Sequence, residues 1–254
     1  MTIFCKIQIA LGILIVVLGV SILQDRLTPH TPATVTYVLA WDMGNVVPND
    51  KGEWVFDTPL GYRVTMTTGY ITSYSTELIA CPHYHNIFEW LDSWLMGQAV
   101  FANHATIADE SQVPYGVVES LTNPTSMTWG QATLSETRYC QWHYAVGGAK
   151  KTTQHMPSDV EMNRLSVYIT GTYARANESE TAFLISAIFG DGVLADFASA
   201  PQAVAEVQNG ALDITLTRRL DTLLDTLDFA EMNERELAIA FLRQLVTTTT
   251  VTTR

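Results

Sequence analysis

The chain predicts a mainly β fold, an antiparallel β-sandwich, and three observations carry that expectation. Apolar and polar residues alternate at period two in several segments, β-branched and aromatic residues fill those segments, and Gly, Pro and Asn turns separate them. Side chains of an extended strand alternate between faces, so such a pattern buries one face of a sheet and solvates the other. About 220 residues follow the N-terminal segment, a length that one sandwich accommodates.

The elements follow in order. Residues 9–20 are an unbroken apolar run, extended by Ile22 and Leu23, with Lys6 before it and Asp25 and Arg26 after it. A short basic start followed by an apolar stretch reads as a secretory signal or a signal anchor. Counted from Ile7 to Leu23, it reaches the lower limit of about 17 residues for a transmembrane helix. The residues Val20-Ser21-Ile22-Leu23-Gln24 offer no small-x-small cleavage site. The expectation is therefore an uncleaved N-terminal transmembrane helix within residues 1–26, with removal as a signal peptide left open. Lys6 on the inner side follows the positive-inside tendency. This places the chain in the inner membrane as a single-pass protein with its main domain in the periplasm. Residues 27–34, with Pro29 and Pro32, read as a linker.

The sandwich is expected over 35–246, its first strand starting at Thr34. Strands are expected at 34–41, 62–67, 70–79, 138–146, 164–174, 180–188 and 211–217, with turns at Gly147-Gly148 and Gly190-Asp191-Gly192. Two helices interrupt this pattern. A short aromatic helix over 86–95 carries Ile87, Trp90, Leu91 and Trp94 at helical spacing. A C-terminal helix is capped by Asn233, with Glu234 and Glu236 in its first turn and Arg243 near its last. Its apolar stripe is Leu237, Ile239, Ala240, Phe241 and Leu245. The Thr-rich tail 247–254 reads as either a terminal strand or an unstructured end.

Composition excludes several functions. A net charge of −12 without a basic cluster argues against nucleic acid. No Gly-x-Ser-x-Gly, Walker or dinucleotide glycine pattern occurs, and no carboxylate pair is singled out by context. Asp221 and Asp225 read as turn caps or a solvated helix edge. The expected function is not enzymatic.

The histidines carry the chemistry. His83 and His85 lie in Cys81-Pro82-His83-Tyr84-His85, His104 in Phe101-Ala102-Asn103-His104, and His143 in Cys140-Gln141-Trp142-His143. In an oxidising compartment two exported cysteines most simply form one disulfide. A Cys81–Cys140 bond would close a loop of roughly 60 residues and draw His83, His85 and His143 into one neighbourhood. Imidazoles held together on a rigid frame are a copper or zinc donor set. The same residues also read as ordinary polar groups beside a structural disulfide. His83 and His85 share a face if extended and could chelate one metal. His155 reads as a solvated loop residue, and His30 belongs to the linker. A blue-copper reading of Cys140-x-x-His143 fails because the next methionine, Met156, lies too far along for an axial ligand.

Four passages stand out in order: Gly61-Tyr62-Arg63-Val64-Thr65-Met66 through Ser75-Thr76-Glu77-Leu78-Ile79-Ala80-Cys81; then Ala102-Asn103-His104-Ala105 with Pro114 and Val117-Val118-Glu119-Ser120-Leu121; then Thr137-Arg138-Tyr139-Cys140; and last Ile214-Thr215-Leu216 with Leu224-Asp225-Thr226-Leu227-Asp228-Phe229 and a closing helix. Together they resemble the MbnP-like domain family, exported copper-binding proteins associated with methanobactin and with copper-repressible surface proteins of methanotrophs. The resemblance spans most of 34–246. It implies a β-sandwich with a mononuclear copper site built from histidines, His104 standing at the family's loop histidine and His143 following the Arg-Tyr-Cys passage. The family's oxidised tryptophan precedes a ligand histidine by two residues in some members. Here no Trp-x-His occurs, and Trp142 adjoins His143, which leaves Trp142 as a candidate modified or supporting residue on the opposite face.

The expectation is thus an exported, membrane-anchored copper-binding protein using His104, His143, His83 and His85. The rival is a non-catalytic accessory subunit of a larger membrane protein complex, docked through its anchor helix and sandwich, with exposed aromatics such as Tyr115 or Trp129 as the contact surface.

Overall fold

The computed structural model describes residues 33–81, 111–197, 205–207 and 210–254, which fall in one compact unit, Ala33–Arg254. The predicted transmembrane segment 1–26, most of the linker and the aromatic helix expected over 86–95 lie outside these residues. Among the described residues no helix is long and apolar enough to cross a membrane.

The fold is mainly β, as expected. Among the described residues the strands are β1 (Ala33–Asp42), β2 (Trp54–Asp57), β3 (Tyr62–Ala80), β4 (Val117–Ser120), β5 (Met127–Leu134), β6 (Arg138–Val146), β7 (Val167–Arg175), β8 (Thr181–Ala187), β9 (Asp191–Asp196), β10 (Ala205–Glu206), β11 (Ala211–Arg219) and β12 (Thr250–Thr253), with one helix, α1 (Glu234–Thr247). A four-stranded sheet has the order β12-β11-β1-β5. An eight-stranded sheet runs β10-β6-β3-β7-β8, with β2 and β4 also paired to β3 and β9 to β6.

Both sheets feed one core. Val35, Tyr37 and Leu39 of β1 and Leu212, Ile214 and Leu216 of β11 are buried with Val64, Met66, Ile71 and Leu78 of β3 and Ile169 of β7. In β1 and β11 these are alternate residues, and in β3 the parity changes at its register shifts, so period-two patterning builds a sandwich core. Helix α1 packs chiefly on β8 and β9. Asn233 Oδ1 accepts from the backbone N–H of Arg235 and Glu236 at 3.0 and 3.1 Å, while the Glu236 carboxylate accepts from Asn233 N–H at 2.9 Å. This capping box satisfies donors the helix start would otherwise leave open.

Several expectations are corrected. One pair, β1 with β11, is parallel, from Thr34 opposite Ala211 to Asp42 opposite Arg219. Nearly the whole domain separates the two strands, so no hairpin fixes their direction. The two strands expected at 62–67 and 70–79 are one strand, β3, whose register shifts at Met66/Thr68 and Ser73/Ser75 absorb the break in alternation. The turn read at Gly190-Asp191-Gly192 gives way at Asp191 to β9. The Thr-rich tail divides: Thr247 ends α1, and β12 pairs with β11. The buried stripe of α1 is Leu237, Ala238, Phe241, Leu242, Leu245 and Val246, and Ile239 is exposed. Arg243 bonds to Asp191 across to β9, Nε to Oδ2 at 2.6 Å.

Candidate functional site

Cys81 and Cys140 form a disulfide, with Cα atoms 4.8 Å apart. The local register explains how they meet. Ile79 stands opposite Gln141 and Ala80 opposite Tyr139, so Cys140 is the extra residue of a bulge in β6. Bulges bend a strand and re-aim side chains. The Cys81 N–H donates to the Arg138 carbonyl at 3.1 Å, which holds the end of β3 against that bulge.

Three residues past Cys140, His143 sits opposite Glu77 on β3 and Leu194 on β9. Trp142 and Tyr144 flank it in sequence and are buried in the core, 5 % and 0 % exposed. Strand alternation therefore sends His143 to the other face of the sheet from both. Its Nδ1 lies 3.3 Å from Glu77 Oε1, and both side chains are largely shielded, 22 % and 12 % exposed. The opposite ring nitrogen looks toward β9. A Cβ on Gly192 would stand 3.3 Å from His143 Nε2, so a side chain at this position of β9 would press on the ring. The backbone of His143 is held too, its carbonyl accepting from Thr76 Oγ1 at 2.8 Å.

His83, His85 and His104 lie outside the described residues. Among the described residues no three His, Cys, Asp or Glu side chains gather as a metal cluster. His155 is in a loop at φ 58°, as an exposed residue lining a cleft. Of the aromatics expected to form a docking surface, Trp129 is buried, 1 % exposed, and its Nε1 donates to the Tyr115 carbonyl at 2.9 Å. An indole that finishes its hydrogen bonding inside the core presents nothing to a partner.

The sequence reading missed a second constellation, a charged network in the core. Arg218 of β11 and Glu119 of β4 form a salt bridge with side chains 0 % and 3 % exposed. Trp41 Nε1 donates to Glu119 Oε2 at 3.1 Å, and Ser73 Oγ donates to Glu119 Oε1 at 2.6 Å. Ser73 Oγ lies 2.8 Å from Tyr144 Oη. The Arg218 guanidinium lies over the Trp41 ring, 4.5 Å from its centroid. Burial pushes the Tyr144 phenol up to about 12, the nearby Glu119 charge adding to the rise and Arg218 opposing it. A signal was present in the sequence. Leu212, Ile214 and Leu216 alternate inward, and the same period continues to Arg218, which must then be buried and paired.

Trp41 and Glu119 also form part of the wall of a cleft of about 450 Å³, completed by Tyr70, Asn123 and the loop carrying His155 and Asp159. Tyr70 Oη donates to both Asp159 carboxylate oxygens, at 3.0 and 3.1 Å.

Comparison with known proteins gives little. No family model matches the chain, and no curated protein does. A solved structure, MbnP from Methylosinus trichosporium, is distantly similar, with 10 % identity, 78 % of each chain covered and a TM-score of 0.32. A likeness at that level supports no assignment of function.

Proposed function

We propose that this chain is an exported, membrane-anchored copper-binding protein whose centre is built on His143, with His104, His83 and His85 as the other donors. One observation carries the reading: His143 has Nδ1 beside the Glu77 carboxylate, 3.3 Å away, on the face of the sheet opposite the core. A carboxylate beside one ring nitrogen orients the imidazole, a common support of a metal-ligating histidine. The disulfide supplies two further elements of support. It anchors the segment that leads, two and four residues later, to His83 and His85. It also belongs to the oxidising compartment that the N-terminal segment predicts. Neutral imidazole suits copper in either common oxidation state, and copper(II) outcompetes the other divalent first-row metals for nitrogen donors. The proposed role is binding rather than catalysis.

The test is elemental analysis of the full chain after loading with Cu(I) under reducing conditions that spare the disulfide, and with Cu(II) under air. The expected result is about one copper per chain, lost in His143→Ala and in His104→Ala. No uptake under either condition, or full uptake by both variants, would refute the reading.

A further inference from the structure

We infer that the cleft between β4 and the loop 154–160 is a binding site for a small organic cation, an ammonium-bearing molecule recognised by Asp159 and the Tyr70 ring.

The cleft is built in advance. Gln154 N–H donates to the Gly116 carbonyl at 3.0 Å, and Val118 N–H donates to the Gln154 carbonyl at 2.9 Å, so the loop is laced to β4 as a short extra strand. Beneath it, Val118, Ala149 and Met162 form a separate small core against which Tyr70 and Val160 pack. The wall carrying Asp159 is therefore fixed before any ligand arrives. Its volume of about 450 Å³ exceeds what a bare ion needs and falls in the range of about 300–1,000 Å³ used by small-molecule sites.

Charge selects the ligand class. Two carboxylates line the cleft, Glu119 and Asp159, and no lysine or arginine does. Glu119 is neutralised by Arg218 and saturated by Trp41 and Ser73. Asp159 accepts from the neutral Tyr70 phenol and has no salt bridge to a cation among the described residues. Burial, followed by the hydrogen bond to Asp159, raises the Tyr70 phenol above its ordinary value, which keeps it a proton donor. One negative charge is thus left unanswered beside the Tyr70 ring, the Trp41 ring already carrying the Arg218 guanidinium. Anions are repelled by that arrangement. A carboxylate beside an aromatic ring suits an ammonium group, which gains from both the charge and the ring quadrupole. Asn123 and Ser120 provide hydrogen bonds for a hydroxyl or carbonyl carried by the same molecule.

The experiment uses the full chain and four probes: choline, ethanolamine, glucose, and 3,3-dimethylbutan-1-ol, the uncharged isostere of choline. Binding is followed by saturation-transfer NMR and titration calorimetry. At least one of the two ammonium probes is expected to bind, with the uncharged alcohol at least tenfold weaker. Asp159→Asn is expected to weaken ammonium binding at least tenfold while the thermal transition stays in place, because Asp159 is exposed. Failure of both ammonium probes to bind would overturn the proposal. So would equal binding of the alcohol or of glucose, or unchanged ammonium binding by Asp159→Asn.

Discussion

Arg218 and Glu119 tie the two sheets together through an ion pair sealed from solvent, the guanidinium rising from the four-stranded sheet and the carboxylate from the eight-stranded one. Taking two charges out of water is costly, and the pair offsets that cost only through contacts of good geometry. Glu119 has them in Trp41 and Ser73. Arg218 has the Trp41 ring, while its Nε and Nη1 find no hydrogen-bond partner among the described residues.

Removing one partner therefore strands the other. Glu119→Ala should lower unfolding stability by about 3–5 kcal/mol, the usual cost of leaving a buried charge uncompensated. The double change Glu119→Leu with Arg218→Met should recover most of that loss, since an apolar pair of similar volume avoids the desolvation cost. Urea unfolding of the parent and the two variants decides it. A single variant within about 1 kcal/mol of the parent would show the pair to be dispensable.

Tyr144 gives the same network a pH signature. Its folded value of about 12 stands above the unfolded phenol near 10. For an acid whose neutral form is the one accommodated, the stabilising contribution is complete below the unfolded value and is lost as pH rises toward the folded one. Stability should fall between about pH 10 and 12, and the fall should be shallower in Tyr144→Phe. Absorbance of phenolate, recorded alongside circular dichroism, should show Tyr144 ionising only as the fold opens.

Much of the sandwich was legible because alternation is a local property. The strand expected at 138–146 is β6 as observed, and the Asn233 cap with Glu236 was readable from residue type and spacing. Short strands were not. Val117–Ser120 and Trp54–Asp57 each hold only two repeats of the pattern, too few to stand out, and they exist because β3 offers them an edge. The direction of β1 against β11 was equally hidden, since it depends on the path of the whole chain. Around the site, the disulfide followed from export and cysteine count. The pairing of Glu77 with His143 did not, because it needs the register between β3 and β6. The cleft joins residues from four separate parts of the chain, Trp41, Tyr70, Glu119 with Asn123, and Asp159, and no spacing could announce it.

The disulfide bears on both stability and site. Cys81 and Cys140 are 59 residues apart, and closing such a loop stabilises the fold by about 4 kcal/mol in the chain-entropy picture. The double variant Cys81→Ser, Cys140→Ser should lose up to about that amount in chemical denaturation. If the bond also organises the donors, copper affinity should fall further than the fraction unfolded explains. Equal affinity in the folded double variant would confine the disulfide to a structural role.

Glu77 separates a ligating His143 from a merely polar one. The carboxylate lies on the face of the sheet opposite the core but is largely shielded, 12 % exposed, so the thermal transition of Glu77→Gln is recorded beside its affinity and the comparison is made on folded protein. An outer-sphere partner of a metal-bound imidazole typically contributes 10–100-fold in affinity. Competition titration with a copper chelator should therefore show a loss of that size in Glu77→Gln, and a larger one in His143→Ala. Gly192→Ala supplies the complementary probe, since its methyl would approach Nε2 to 3.3 Å and crowd the nitrogen that must face the metal. Nitrogen hyperfine splitting in the Cu(II) resonance spectrum gives a readout that a structural role would not move. It should change in Gly192→Ala and in Glu77→Gln, and lose one nitrogen in His143→Ala. An identical spectrum and affinity in all three would remove His143 from the donor set.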